Sequence, residues 1–149
     1  LEKVLWGYAA QSYRNFEILV ADDGSDQRTS ILIGRMRRAT RLAIHHVWHD
    51  DRGFRKAVIL NHATAEAEGE YVVFTDGDCI PRHDFLATHV ALAKPGAFLS
   101  GGCVRLSREA SRGLATEDIL AWRGGDVRWL RGATGHRGAT GHRGARVLA

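Results

Sequence analysis

Two apolar runs in this chain end on carboxylates, and they set what it can fold into. Phe16-Glu17-Ile18-Leu19-Val20-Ala21 stops on Asp22-Asp23-Gly24-Ser25, and Glu70-Tyr71-Val72-Val73-Phe74-Thr75 stops on Asp76-Gly77-Asp78. An apolar run of this length reads as a buried strand, and acids at its carboxyl end are delivered to one edge of a sheet. Between and around the runs lie helical patterns. Leu1, Val4, Leu5, Tyr8 and Ala9 fall on one face of a first helix. A second helix is predicted over 27–39, with Ser25 or Asp26 as N-cap, and a second strand over 42–48. A third helix is expected from about Phe54 to Glu66, and another around 84–93 after Pro81. Residues 97–107 read as a long strand broken at Gly101-Gly102, and 116–122 as a short helix capped by Thr116. Strands alternating with helices imply an α/β fold with a mainly parallel sheet, whose ligands bind outside the strand carboxyl ends. Both acidic turns are therefore expected to line one crevice.

Composition excludes several classes. A chain of 149 residues, 44% hydrophobic and 26% charged, suits one globular core. No apolar run approaches a membrane span, and the start has no signal-peptide pattern. Cys79 and Cys103 make no disulfide framework, which favours a reducing, cytoplasmic compartment. The net charge of +4 comes from Arg131, Arg137, Arg143 and Arg146 in a stretch without acids. A near-neutral body argues against a nucleic-acid module. The mild basic balance also suits peripheral work at the inner face of a membrane, beside anionic head groups.

Asp76-Gly77-Asp78 has two readings. An Asp-Gly turn needs no ligand, because both residues favour turns for local reasons. Alternatively, two carboxylates one residue apart form a hard oxygen site for Mg2+ or Mn2+, whose charge neutralises a phosphate. A phosphatase-like aspartate nucleophile motif fits less well, because Cys79 holds the fourth position and the strand is internal.

Taken in order, the motifs resemble family-2 glycosyltransferases, the GT-A nucleotide-sugar enzymes. Residues 1–29, including Gln11-Ser12-Tyr13-Arg14-Asn15 and the Asp22-Asp23-Gly24-Ser25 turn, look like that family's first helix, second strand and nucleotide-binding turn. Gly53-Phe54-Arg55-Lys56-Ala57-Val58-Ile59-Leu60-Asn61 is similar to its loop and helix ahead of the metal strand. Asp76-Gly77-Asp78 matches its DxD position, with Ile80-Pro81 and Phe85-Leu86 following as usual. The resemblance covers about residues 1–110.

It implies a Rossmann-like three-layer GT-A sandwich and transfer of a sugar from a nucleotide-diphosphate donor, UDP-sugar favoured. The acceptor is a glycan or lipid-linked molecule, and the reaction is metal-dependent and inverting. By this resemblance Asp78 is the direct ligand of Mn2+ or Mg2+, and Asp76 contacts the ribose or the metal's water shell. Asp23 accepts from the base's imide N–H, Asp22 shapes the turn, and Arg55 and Lys56 face the nucleotide. The catalytic carboxylate has no firm match. Glu117 and Asp118 are the candidates, yet Thr116-Glu117-Asp118 also reads as a helix start where acids favour the dipole.

Both ends depart from the family pattern. The chain opens on a helix with no strand before it. Arg131-Gly132-Ala133-Thr134-Gly135-His136 is repeated at 137–142 and begun again at 143–145. The expectation is a GT-A domain truncated at both ends, with 1–130 as its nucleotide-sugar-binding part. Residues 131–149 would be a disordered Gly/Arg-rich tail. Such a piece would transfer little sugar by itself. The alternative is a non-catalytic nucleotide-binding fragment without a base.

Overall fold

The computed structural model describes residues 1–121. They divide between two compact units, one built on Arg14–Val72, the other on Lys3–Tyr13 with the chain from Val73 onward.

In the Arg14–Val72 unit, β1 (Ile18–Asp22), α2 (Gln27–Thr40), β2 (Ile44–Trp48) and α3 (Lys56–Glu66) follow in order, with α1 preceding them in the chain. The strands pair in parallel, Ile18 opposite Ile44 and Asp22 opposite Trp48. Parallel neighbours need a crossover, and α2 supplies it. Its start is set by Asp26, whose side chain accepts from the Arg28 N–H at 2.9 Å. Its end is set by Arg41, which adopts a left-handed φ of 58°. The Arg37 Nε then donates to the Ile44 carbonyl at 2.6 Å, tying the helix's last turn to the start of β2. Ile33 and Met36 of α2 are buried. Ile59 and Ala63 of α3 pack with Val47, Leu19 and Ala21, so the helix covers the parallel pair where both strands run toward the acidic turn. Glu17 accepts from the N–H groups of Glu68 and Gly69, which fixes the chain leaving α3 just ahead of β1.

The other unit contains α1 (Glu2–Ala9), α4 (Phe85–Leu92), α5 (Arg108–Gly113) and α6 (Thr116–Leu120). Val4, Leu5 and Tyr8 form the buried face of α1, as the apolar spacing predicts. Leu86, Leu114 and Ile119 add to the core. His89 is buried against the Phe85 ring, centroids 4.7 Å apart, and burial lowers its pKa, which favours the neutral form. No helix of the described residues is long and apolar enough to cross a membrane.

Several expectations are corrected. The run ending on Asp76 is not a strand: among the described residues the sheet has two strands, β1 and β2. Tyr71, Val72 and Phe74 are exposed. β-branched and aromatic composition records a preference for strand surfaces, but a strand exists only where a neighbour supplies the ladder. Residues 97–107 form no long strand either; an isolated bridge at Gly101 is all that remains. Helix α5 arises where no helix was expected, capped by Ser107, whose hydroxyl accepts from the Ala110 N–H at 3.1 Å. In α6 the N-cap is Ala115 and not Thr116, because Asp118 reaches back to the Ala115 N–H at 3.2 Å. The repeat tail at 131–149 lies outside the described residues.

Candidate nucleotide-sugar site

The first acidic turn is built from a close backbone approach. Gly24 has a φ of +91°, and a Cβ there would lie 2.5 Å from the Asp51 Cα. Only glycine permits both the left-handed conformation and the contact. The loop after β2 thus lies directly against the turn after β1.

Within that turn, Asp22 is buried. Its Oδ1 accepts from the Ser25 N–H at 2.8 Å, and its Oδ2 faces the His46 Nε2 at 2.8 Å. Burial works to raise its pKa, but the hydrogen bonds from Ser25 and His46 outweigh it and the carboxyl is held below its usual value. Asp22 is therefore tied into the turn by Ser25 and to β2 by His46. Asp23 is also held low, by the hydrogen bond from His49 and then by the Arg55 N–H. Those contacts are 2.6 Å and 2.7 Å. The second places a carboxylate at the start of α3, where the helix dipole favours negative charge.

Arg55 curls back so that one guanidinium nitrogen donates to the Asp50 carbonyl at 2.8 Å. Its Nε is buried and finds no acceptor among the described residues. A buried donor left unmatched costs free energy, and an anionic ligand would satisfy it. Lys56 is exposed on the first turn of α3. The structure thus brings Asp22, Asp23 and Arg55 together.

Because Asp22 is depressed, the sign of its pH effect follows directly. Its contribution to stability is present above the unfolded carboxyl pKa, about 4, and is lost as pH falls through the lower folded value. The stability gap between the native chain and Asp22→Asn should be widest near neutral pH and shrink on acidification below about pH 4. Urea unfolding across that range checks it, and a gap independent of pH would contradict it.

The second acidic turn belongs to the other unit. The Cys79 N–H donates to the Asp76 carbonyl at 3.1 Å, closing a tight turn over Asp76-Gly77-Asp78. All three residues of the turn are exposed. One oxygen from each carboxylate and the Cys79 Sγ lie within 4.8 Å of one another. Gly77 is not demanded by the backbone, since a Cβ there would meet nothing within 4 Å. Two carboxylates are hard oxygen donors, and they suit Mg2+ or Mn2+ with further oxygens from water and a phosphate. Burial and the neighbouring Asp78 carboxylate push the Cys79 thiol up.

Glu117 is exposed on α6. Asp118 spends its carboxylate on the N–H that begins its own helix. This is the local role that the sequence offered as the alternative to a catalytic base.

Reading the sequence missed the histidines His46 and His49, which face Asp22 and Asp23, and the buried amide of Gln11, which bonds Arg82 and Leu86. The histidines lie 24 and 26 residues from their aspartates, and only the parallel register brings each pair together. Gln11 left a signal, for it follows Tyr8 by three on the stripe of Val4 and Tyr8 and is a polar residue where an apolar one is expected.

One unit carries a parallel strand pair ending on an Asp-Asp turn, and the other an exposed carboxylate pair after an apolar run. The chain matches the model of glycosyl transferase family 2 over residues 1–137, and it belongs to that family. Its fold is accordingly the GT-A type of α/β domain and its general activity that of a glycosyltransferase. No curated protein and no solved structure matches it.

Proposed function

We propose that this chain carries the donor-binding part of an inverting, metal-dependent glycosyltransferase that uses a UDP-sugar and a glycan or lipid-linked acceptor. The observation that carries the reading is the exposed carboxylate pair of Asp76 and Asp78, set on a turn whose central residue is unconstrained. Asp78 would hold Mn2+ or Mg2+ directly, and Asp76 would hold the ribose or the metal's water shell. When bound, such a cation stabilises the charge that builds on the departing diphosphate. Asp23, oriented by His49 and the Arg55 N–H, is assigned to the base's imide N–H. Arg55 and Lys56 would contribute positive charge toward the diphosphate. The cytoplasm, with peripheral attachment to the inner face of a membrane, is the compartment this donor chemistry fits.

Direct displacement at the anomeric carbon needs one general base to take the acceptor's proton. The enzyme containing this chain should therefore convert an α-linked UDP-sugar into a β-linked product, read by the anomeric coupling in proton NMR. A product of retained configuration would end the inverting reading.

A second reading is kept because Asp118 caps its own helix and Glu117 stands exposed, so neither is committed to a base's role. On that reading the chain binds nucleotide and metal without transferring sugar. Metal-dependent UDP binding with no transfer to any acceptor would favour it.

A further inference from the structure

The parallel register sets Asp22 opposite Trp48, so the residues that follow, Asp23 and His49, leave their strands as neighbours. The His49 Nε2 lies 2.6 Å from the Asp23 Oδ1, and the Arg55 N–H donates to the Asp23 Oδ2 at 2.7 Å. An ionised carboxylate can only accept, so the proton of the first contact sits on Nε2. One donor on each oxygen fixes the plane of the carboxylate. Each oxygen keeps further lone-pair capacity, and the side chain is 21% exposed, so a ligand can reach it. The His49 ring is mostly buried and is itself held. It meets the His62 ring of α3 edge-on, centroids 6.4 Å apart and planes at 85°. The close approach of Gly24 to Asp51 keeps the loop that carries His49 against the turn. All of these groups belong to the Arg14–Val72 unit.

We infer that His49 is a positioning residue that makes Asp23 selective for a base offering an imide N–H, uracil or thymine, over cytosine. The inference rests on the assignment of Asp23 to the base given above, and adds what enforces the choice. Uracil presents N3–H on its pairing edge, where cytosine presents a bare N3 acceptor. A carboxylate that cannot turn accepts from the first and meets the second lone pair to lone pair, with neither group satisfied. Without His49, Oδ1 loses its donor and the carboxylate can rotate away from a wrong base. A held acceptor rejects; a free one yields. Preorganisation thus supplies selectivity as well as affinity. His49 would act through Asp23 and not on the base itself.

The test uses the full chain with Mn2+, titrated calorimetrically with UDP, with CDP, and with 3-methyl-UDP, which lacks the imide proton. The native chain should bind UDP about 10-fold or more tighter than either analogue, the scale of one hydrogen bond to a charged group. Asp23→Ala should erase that preference. His49→Leu should weaken UDP far more than either analogue and bring the ratio toward one. His49→Gln, whose amide N–H reaches about as far as Nε2, should restore most of the ratio. A merely structural role would weaken all three ligands together, so the ratio is the readout. If His49→Leu fails to fold by circular dichroism, His49→Asn carries the test, since its amide is too short to reach Asp23. A folded Leu or Asn variant with the native ratio, or a His49→Gln variant no more selective than His49→Leu, would overturn the inference and leave the Asp23 assignment standing. Equal affinity of the native chain for UDP and 3-methyl-UDP, or no UDP binding at all, would overturn that assignment and the inference with it.

Discussion

Asp78→Ala should reduce Mn2+ affinity by about 100-fold or more, because loss of a mere supporting partner already costs about 10–100-fold. UDP binding in the presence of Mn2+ should then fall to the level found with a chelator. The side chain is exposed, and among the described residues it accepts a weak contact from the Cys79 Sγ at 3.7 Å, so the melting temperature should barely change. Glu117→Ala, on an exposed first-turn position of α6, should leave both affinities intact. Calorimetry of UDP into each variant reads the result directly. An Asp78→Ala protein with undiminished metal dependence would place the cation elsewhere.

Gly24→Ala should produce the largest loss of stability of any single methyl added to the first turn. An L-residue at a φ of +91° is strained, and the new Cβ would meet the backbone of Asp51 at 2.5–2.7 Å. Backbone, unlike the far end of a side chain, cannot step aside without moving the loop that carries His49 and Arg55. Strain of ~1–3 kcal/mol for the conformation alone, plus the displaced loop, puts the total near or above ~3 kcal/mol. Against a usual stability of ~5–15 kcal/mol, that is a large fraction. Nucleotide affinity should fall with it, because Asp23 accepts from both His49 and Arg55. Gly77→Ala is the matched control, since its Cβ would meet nothing within 4 Å, and it should cost less than ~0.5 kcal/mol. Equal urea midpoints for the two variants would show that the contact between the turn and Asp51 is not tight.

The two cases illustrate what the sequence could and could not reveal. The order β1, α2, β2, α3 was legible because each element carries its own local signal: an apolar run, a cap at Asp26, a periodic helical face. The acidic turns were legible because they sit where such runs stop. The runs at 70–75 and 97–107 were misread for a physical reason. Apolar composition reports a preference for strand surfaces, while a strand requires a partner's backbone, and nothing local encodes that partner. The histidine–aspartate pairs were hidden for a related reason. His46 lies opposite Val20 only once the parallel register is fixed, and the register is a property of two strands, not one. Gln11 was half legible. Its spacing continues the stripe of Val4 and Tyr8 just past the end of α1, but its bonds to Arg82 and Leu86 span 71 and 75 residues. The DxD reading depended on the family resemblance, since Asp-Gly-Asp alone is also an ordinary turn.

The central claim is that a cation held by the carboxylates at 76–78 is what lets this chain bind a nucleotide diphosphate. Its most direct test is isothermal titration of UDP into the full chain with Mn2+, with Mg2+, and with a chelator. The account predicts saturable binding in the first two and none measurable in the third. Equal UDP affinity in the presence of the chelator would contradict it.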